Sequence, residues 1–529
     1  MNTMKILKSM ILSLLIMSIG CDVDYFDNPN EPATPPTSGV FNKAVQELVT
    51  DTRDVWFSGR FTLATMQMWQ QSEYGDEDRY SYRESMRETW EDLYYNLENL
   101  RLVIQLNEDE ATSVTMSAYG PNEGQIATAR IMMAWAFNLM TDTWGDIPYW
   151  SYGDRDNPNF QALKLTSEEE ILQPVYATQA AIYADILNEL AEAAQQITDA
   201  GEGFSAGDVI YGGDADMWAT FANSLRLRIA VKLGNATEAA DAIADGVFTS
   251  NADNAVFTFE GSDKNSSPMY YSWNVDARSD FAVSNTLVTL LKGDNIMDTS
   301  AVPVAITSNP FAGVYDFRLE QYAEPNSDGE YVGMPIAMTS AEAATITYES
   351  LPNRENIIDK PDYAPVLMEY AEVCFLLSEV NGWSQTDYVN GITASMQKWG
   401  VDAADITTYL GAVPAASMEN VLTQKYIALY MDGHTAWAEY RRTGYPAAIL
   451  KPDVTNFPDG RPYSVFEPTS GEYKYFIFIP IPAEITNELP TRMEYPDFES
   501  TLNTTNYLDA VGRLSDGNSL TSKLIWDTN

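Results

Sequence analysis

The sequence predicts a mostly helical protein. Three observations carry this: apolar residues recur at helical spacing over much of the chain, strand signals are few, and no linker divides it after residue 40. "ARIMMAWAFNLM" (129–140) is apolar almost all round, which predicts a helix buried on every side. In 175–197, Tyr183, Ile186, Leu187, Leu190, Ala194 and Ile197 form one stripe, with Asp185, Glu189 and Glu192 expected outside it. The stretch 214–234 has Asp214 and Asp216 at its start, Arg226, Arg228 and Lys232 late, and Gly234 to end it, which complements a helix dipole. In "YAPVLMEYAEVCFLLSEV" (363–380), Val366, Tyr370, Val373, Cys374 and Leu377 share a stripe, and Glu369, Glu372 and Glu379 fall opposite. The clearest strands are "AVFTF" (255–259) and "YKYFIFIPIP" (473–482), the prolines of the second confining it to an edge. Long irregular loops are expected near 260–280 and 300–360. Stacked helix pairs fit this pattern, although no clean repeat of about 34 residues is visible. Residues 39–529 read as a single helical domain.

The first 38 residues read differently. Lys5 and Lys8 precede an apolar run, Met10–Ile19, which ends at the small residues Ser18 and Gly20 before Cys21. A basic start, a short apolar core and a small-residue exit describe a secretory signal. The run falls short of the roughly 20 apolar residues a membrane-spanning helix needs. A cysteine at the exit resembles the lipobox of bacterial lipoproteins, with Ser18 where Leu or Val is more usual. Residues 1–20 are therefore expected to be a lipoprotein signal peptide and Cys21 the lipidation site. The alternative is ordinary secretion, with Cys21 incidental. Residues 21–38 contain Pro29, Pro32, Pro35 and Pro36 and few apolar side chains, as an extended tether does. The segment 1–20 carries two lysines and no acid, so its removal takes the formal charge from −45 to −47. Such a field repels nucleic acid and anionic lipid, which leaves the acyl chains to hold the protein at a membrane. With Cys21 lipidated, Cys374 has no disulfide partner and reads as a small buried hydrophobe.

Enzymatic signatures are lacking. The single histidine, His434, excludes the usual zinc sets and leaves little basis for Cys–His catalysis, and it reads as a packed or capping residue. No G-x-S-x-G, P-loop or G-x-G-x-x-G stands in the right setting. No cofactor is expected. "EYGDED" and "NSDGE" leave a structural calcium open, although neither follows a calcium-loop spacing. The aromatic content is the distinctive feature, with 12 Trp, 31 Tyr and 20 Phe, because some of these rings stand in polar loops. Trp69, Tyr74 and Tyr80 surround "GDED" with Arg79. Tyr270, Tyr271 and Trp273 sit in "SSPMYYSWNVDARSD" beside Arg278. Aromatics in polar loops on a helical scaffold suit a sugar, whose C–H faces lie on rings while charged neighbours take its hydroxyls. These eight residues, led by Trp273, are the candidate ligand site; the competing reading is that the rings only pin the loops.

"ARIMMAWAFNLMTDTWGDIPYW" (129–150) and "GDVIYGGDADMWATFANSLRLRIAVKL" (207–233) resemble two motifs of the SusD/RagB outer-membrane lipoproteins of Bacteroidetes. Ala219-Thr220 replaces the more usual basic step. "PVLMEYAEVCFLLSEV", "GITASMQKWG", "ENVLTQKYIALYMDGHTAWAEYRRTGYP" and "LPTRMEYPDFE" follow in the order that family shows, so the resemblance covers nearly the whole chain. It implies an α-superhelix of tetratricopeptide-like helix pairs. It also implies a surface lid that captures a nutrient for a SusC-like TonB-dependent transporter, without catalysis. Trp144–Tyr149 are, by the same resemblance, architectural. The ligand implied is a glycan, with an oligopeptide as the alternative.

Overall fold

Thr178, Asp214, Ser284 and Ser417 each receive a backbone N–H on the side chain at the start of a helix, so the polar residues between apolar stripes define where helices begin. The computed structural model describes residues 34–527 apart from 165–169, 263 and 348. The expected signal peptide, Cys21 and most of the tether thus lie outside the described residues. Thr37–Asn529 forms one compact unit.

In chain order the main elements of that unit begin with α1 (Thr37–Thr52), a π-helical segment (Val55–Leu63), β1 (Trp69–Gln71), α2 (Arg87–Glu108) and α3 (Asn122–Trp144). Next come α4 (Gln179–Ala200), α5 (Ala215–Lys232), α6 (Ala236–Asp245), β2 (Ala255–Val256), a π-helical turn (Tyr271–Val275), β3 (Phe281–Val283) and α7 (Asn285–Lys292). Then follow β4 (Val366–Met368), α8 (Tyr370–Val380), α9 (Gln385–Lys398), α10 (Ala403–Ala412), α11 (Met418–Ala428), α12 (Gly433–Thr443), and the hairpin of β5 (Arg461–Glu467) and β6 (Glu472–Phe478). From α1 to α6 each helix packs on the next, and α8 packs on both α9 and α11. The fold is helical, with the tetratricopeptide-like pairing of consecutive helices. Among the described residues, three two-stranded antiparallel sheets, β1–β3, β2–β4 and β5–β6, accompany the helices.

The interior follows the apolar stripes, but the acids do not. From Gly124 to Trp144 every residue of α3 is buried, as its composition requires. Glu189, Glu369 and Glu372, expected on solvent faces, are buried as well. Glu372 receives two hydrogen bonds from the Arg228 guanidinium of α5, at 2.5 and 2.7 Å. Glu189 pairs with Arg130 of α3 at 2.9 Å, and Glu369 with Lys398 of α9. Asp142 of α3 receives Lys232 of α5 at 2.5 Å. The late cations of α5 thus act across helices rather than on the dipole. Periodicity locates apolar residues, and it says nothing about a partner supplied by another helix. The 363–380 stripe also spans two elements: residues 366–368 pair with β2 as β4, and the helix starts only at Tyr370. "AVFTF" contributes only Ala255 and Val256 to a strand, whereas 473–482 forms edge strand β6, with Pro480 and Pro482 beyond its end. Cys374 is buried, and burial pushes its thiol up to about 12. His434 is packed against Phe57, with Nε2 at 3.1 Å from Thr143 Oγ1. Burial, then Arg441 and Arg53, push its imidazole well below the usual range, so it is neutral at pH 7.

Candidate ligand-binding site

Two π-helical segments build the site. In each, a backbone N–H reaches back five residues: Gly59 N–H to Asp54 O at 3.0 Å, and Asp276 N–H to Tyr271 O at 2.9 Å. Such turns recur at functional sites because the inserted residue redirects the side chains around it. In the first segment Phe57 and Phe61 face the core, so Trp56, one position off that stripe, points outward. Asp54 caps it, accepting the N–H groups of Trp56 at 3.0 Å and Phe57 at 2.7 Å. Burial pushes the Asp54 carboxyl up to about 7. Gly59 allows the segment to lie on β3, since a Cβ there would stand 2.8 Å from the Phe281 ring.

The two segments enclose a cavity of about 310 Å³ whose walls include Trp56, Arg60, Lys264, Tyr271, Asp276 and Arg278. Arg60 is buried at its base, donating to Asp280 Oδ2 at 2.5 Å and to Gln71 Oε1. Arg278, half-exposed, donates to the same Asp280 oxygen at 3.0 Å. Gln71 is in turn fixed by Asp78, which accepts its backbone N–H at 2.7 Å, and by Glu77 at 3.1 Å. "GDED" therefore braces Arg60 from beneath, and burial pushes Asp78 up to about 7. Two exposed rings lie against the two guanidiniums. Arg60 Cζ lies 4.7 Å from the Trp56 centroid and 5.6 Å from that of Tyr74, and Arg278 Cζ lies 5.8 Å from Tyr74. Trp56, Tyr74 and Tyr271 are 38%, 41% and 42% exposed.

The structure brings together Tyr271, Arg278 and Tyr74 of the residues singled out from the sequence, and adds Trp56, Arg60 and Asp280. The others stand elsewhere. Trp273 was expected as an exposed platform, yet it is 6% exposed, with its Nε1 buried and unbonded. Met269, Ser272 and Trp273 are buried at helical spacing, a short stripe that the surrounding polar residues conceal. Trp69 belongs to β1 and is fully buried, donating to the Tyr430 hydroxyl at 2.9 Å. Tyr80 is buried against Phe478, and Arg79 donates to Ile479 O at 2.9 Å, so both serve the β5–β6 hairpin. Tyr270 is half-buried and does not line the cavity. Trp56 was missed, although its offset from the Phe57/Phe61 stripe, between Asp54 and Arg60, was a usable signal. Among the described residues no group of three or more His, Cys, Asp or Glu side chains is placed to hold a metal ion, and no helix is long and apolar enough to cross a membrane.

Solved structures of the same fold include a SusD homologue from Parabacteroides distasonis, 21% identical with a TM-score of 0.72, covering 93% of this chain and 98% of that one. A chitin-binding SusD homologue from Flavobacterium johnsoniae is 20% identical with a TM-score of 0.67, covering 93% and 99%. A SusD homologue from Bacteroides uniformis is 22% identical with a TM-score of 0.67, again covering 93% and 99%. None of the curated proteins searched matches. Residues 29–463 match the SusD-like family described as starch-binding and associating with the outer membrane. On that match, which spans most of the sequence, the chain belongs to the SusD-like family.

Proposed function

We propose that the protein binds an oligosaccharide at the rim formed by Trp56, Tyr74 and Tyr271. One observation carries this reading: the half-exposed Trp56 and Tyr271 line a cavity together with the Arg60–Asp280–Arg278 cluster, and the half-exposed Tyr74 lies against both guanidiniums. A pyranose has C–H faces, which lie on such rings, and hydroxyl edges, which suit carboxylate and guanidinium. The family description and the chitin-binding relative favour the same ligand class. Binding without turnover, at the outer surface, as the lid of a SusC-like TonB-dependent transporter completes the proposal, with Cys21 as the lipid anchor.

Calorimetry against starch- and chitin-derived oligosaccharides and a peptide library tests the ligand class. Saturable binding of a glycan, recovered unhydrolysed, is expected; saturable binding of peptides alone would overturn it. For the anchor, Cys21→Ser is expected to move the protein from the membrane fraction to the soluble one. Retention in the outer membrane would contradict lipidation.

A further inference from the structure

A second cavity, of about 500 Å³, lies between α7, residues 331–333 and the β5–β6 hairpin. Its walls combine rings with polar groups, as those of the first do. Phe466 is 48% exposed and meets the Tyr473 ring edge-on at 5.4 Å, and Tyr331 contributes a third ring. Lys292 is held over the cavity by donating to Tyr331 O at 3.2 Å, and the exposed Asp294 stands next to it. Asn285 is only 4% exposed: its Oδ1 accepts from Thr289 Oγ1 at 3.1 Å, while its amide nitrogen has no hydrogen bond to another described residue. An amide nitrogen that lines a cavity and has no protein partner is free to donate to a polar ligand there. Gly333 permits this arrangement, because a Cβ there would stand 2.4 Å from the Asn285 Cα.

The buried strand β3 lies along the chain between a residue of each cavity. Asp280 of the first directly precedes the strand, and Asn285 of the second follows Ser284 at its other end. Five residues of chain span at most about 18 Å. We infer that this second cavity is a carbohydrate-binding subsite, used by oligosaccharides long enough to extend beyond the Trp56–Tyr271 rim. The inference rests on the glycan reading of that rim and extends it to ligand length. Phe466 and Tyr473 would take the sugar face, and Asn285, Lys292 and Asp294 its hydroxyls. Two linked contacts raise affinity through effective concentration without any change at the first.

The test compares a short and a long oligosaccharide of the series that the wild type binds, in wild type, Phe466→Ala and Asp294→Ala. Both side chains are exposed, so a thermal melt verifies that the variants fold. The wild type is expected to bind the long ligand at least tenfold more tightly than the short. Each variant should lose most of that advantage and bind the short ligand as the wild type does. No length advantage in the wild type, or an advantage unchanged in both variants, overturns the subsite and leaves the rim intact. Equal loss for both lengths would place Phe466 and Asp294 in a single site and overturn it as well. Failure of the wild type to bind any oligosaccharide removes the glycan reading itself, and the subsite with it.

Discussion

The helical base and the loop-built rim use charge in opposite ways. In the base, cations and anions close on one another: Lys232 with Asp142, Arg228 with Glu372, and Arg318 with Asp316, all buried. Burial pushes the Glu439 carboxyl up, but Arg442 and Lys425 outweigh it and hold the group well below the usual range. At the rim, Arg60 and Arg278 share one carboxylate, and the Trp56, Tyr74 and Tyr271 side chains stay partly exposed. A closed network fixes which helices meet; an open one keeps its interactions available for a ligand. Mutations in the two regions should therefore separate into losses of stability and losses of affinity.

The largest effect is expected in the base. Lys232→Met removes the buried ion pair of Asp142, leaving it hydrogen bonds from the Tyr183 hydroxyl and Asn138 amide, and should cost about 3–5 kcal/mol. Denaturant unfolding measures it; a loss below about 1 kcal/mol would show that the pair is not closed against water. Trp273 tests the border between the regions. It lies five residues from the rim's Arg278 but packs with the core, so Trp273→Ala should cost about 3 kcal/mol or more. An unchanged melt would place the ring at the surface.

A smaller effect concerns pH. Burial raises Asp51 to about 8, Asp54 and Asp78 to about 7, and Asp185 to about 6. Unfolded aspartates titrate near 3.9, so between roughly pH 4 and 8 the folded chain binds more protons than the unfolded one. Stability is then highest at the acidic side of that window and falls as pH rises through it. The melting temperature should be higher at pH 5.5 than at pH 8.5. Asp54→Asn, which keeps an acceptor for the Trp56 and Phe57 N–H groups, should flatten part of the slope. A wild-type melt that rises with pH would contradict these assignments.

The base was legible in the sequence because its helices are written locally: α3 falls where its all-round apolar composition puts it, α4 where its stripe does, and α5 where its end signals do. What periodicity cannot express is pairing between distant helices, so Glu189, Glu369 and Glu372 read as solvent-facing while their partners stood 59, 29 and 144 residues away in the chain. The rim was legible only in part. The 260–280 loop and "GDED" stand out in the sequence by their aromatic residues in polar surroundings. Which of their rings face outward, however, depends on two π-helical turns and on a strand pair of three residues, too short to leave a pattern. Composition marked the neighbourhood, and backbone geometry chose Trp56 and Tyr271 over Trp273 and Trp69.

Trp56→Ala and Trp273→Ala, measured side by side by calorimetry and thermal melting, test the separation of rim from base most directly. Trp56→Ala should lose at least tenfold in oligosaccharide affinity, or about 1.4 kcal/mol, with little change in the melt. Trp273→Ala should melt earlier and, at a temperature where it is folded, bind as the wild type does. The reverse pattern, with affinity lost at Trp273 and retained at Trp56, would contradict the account.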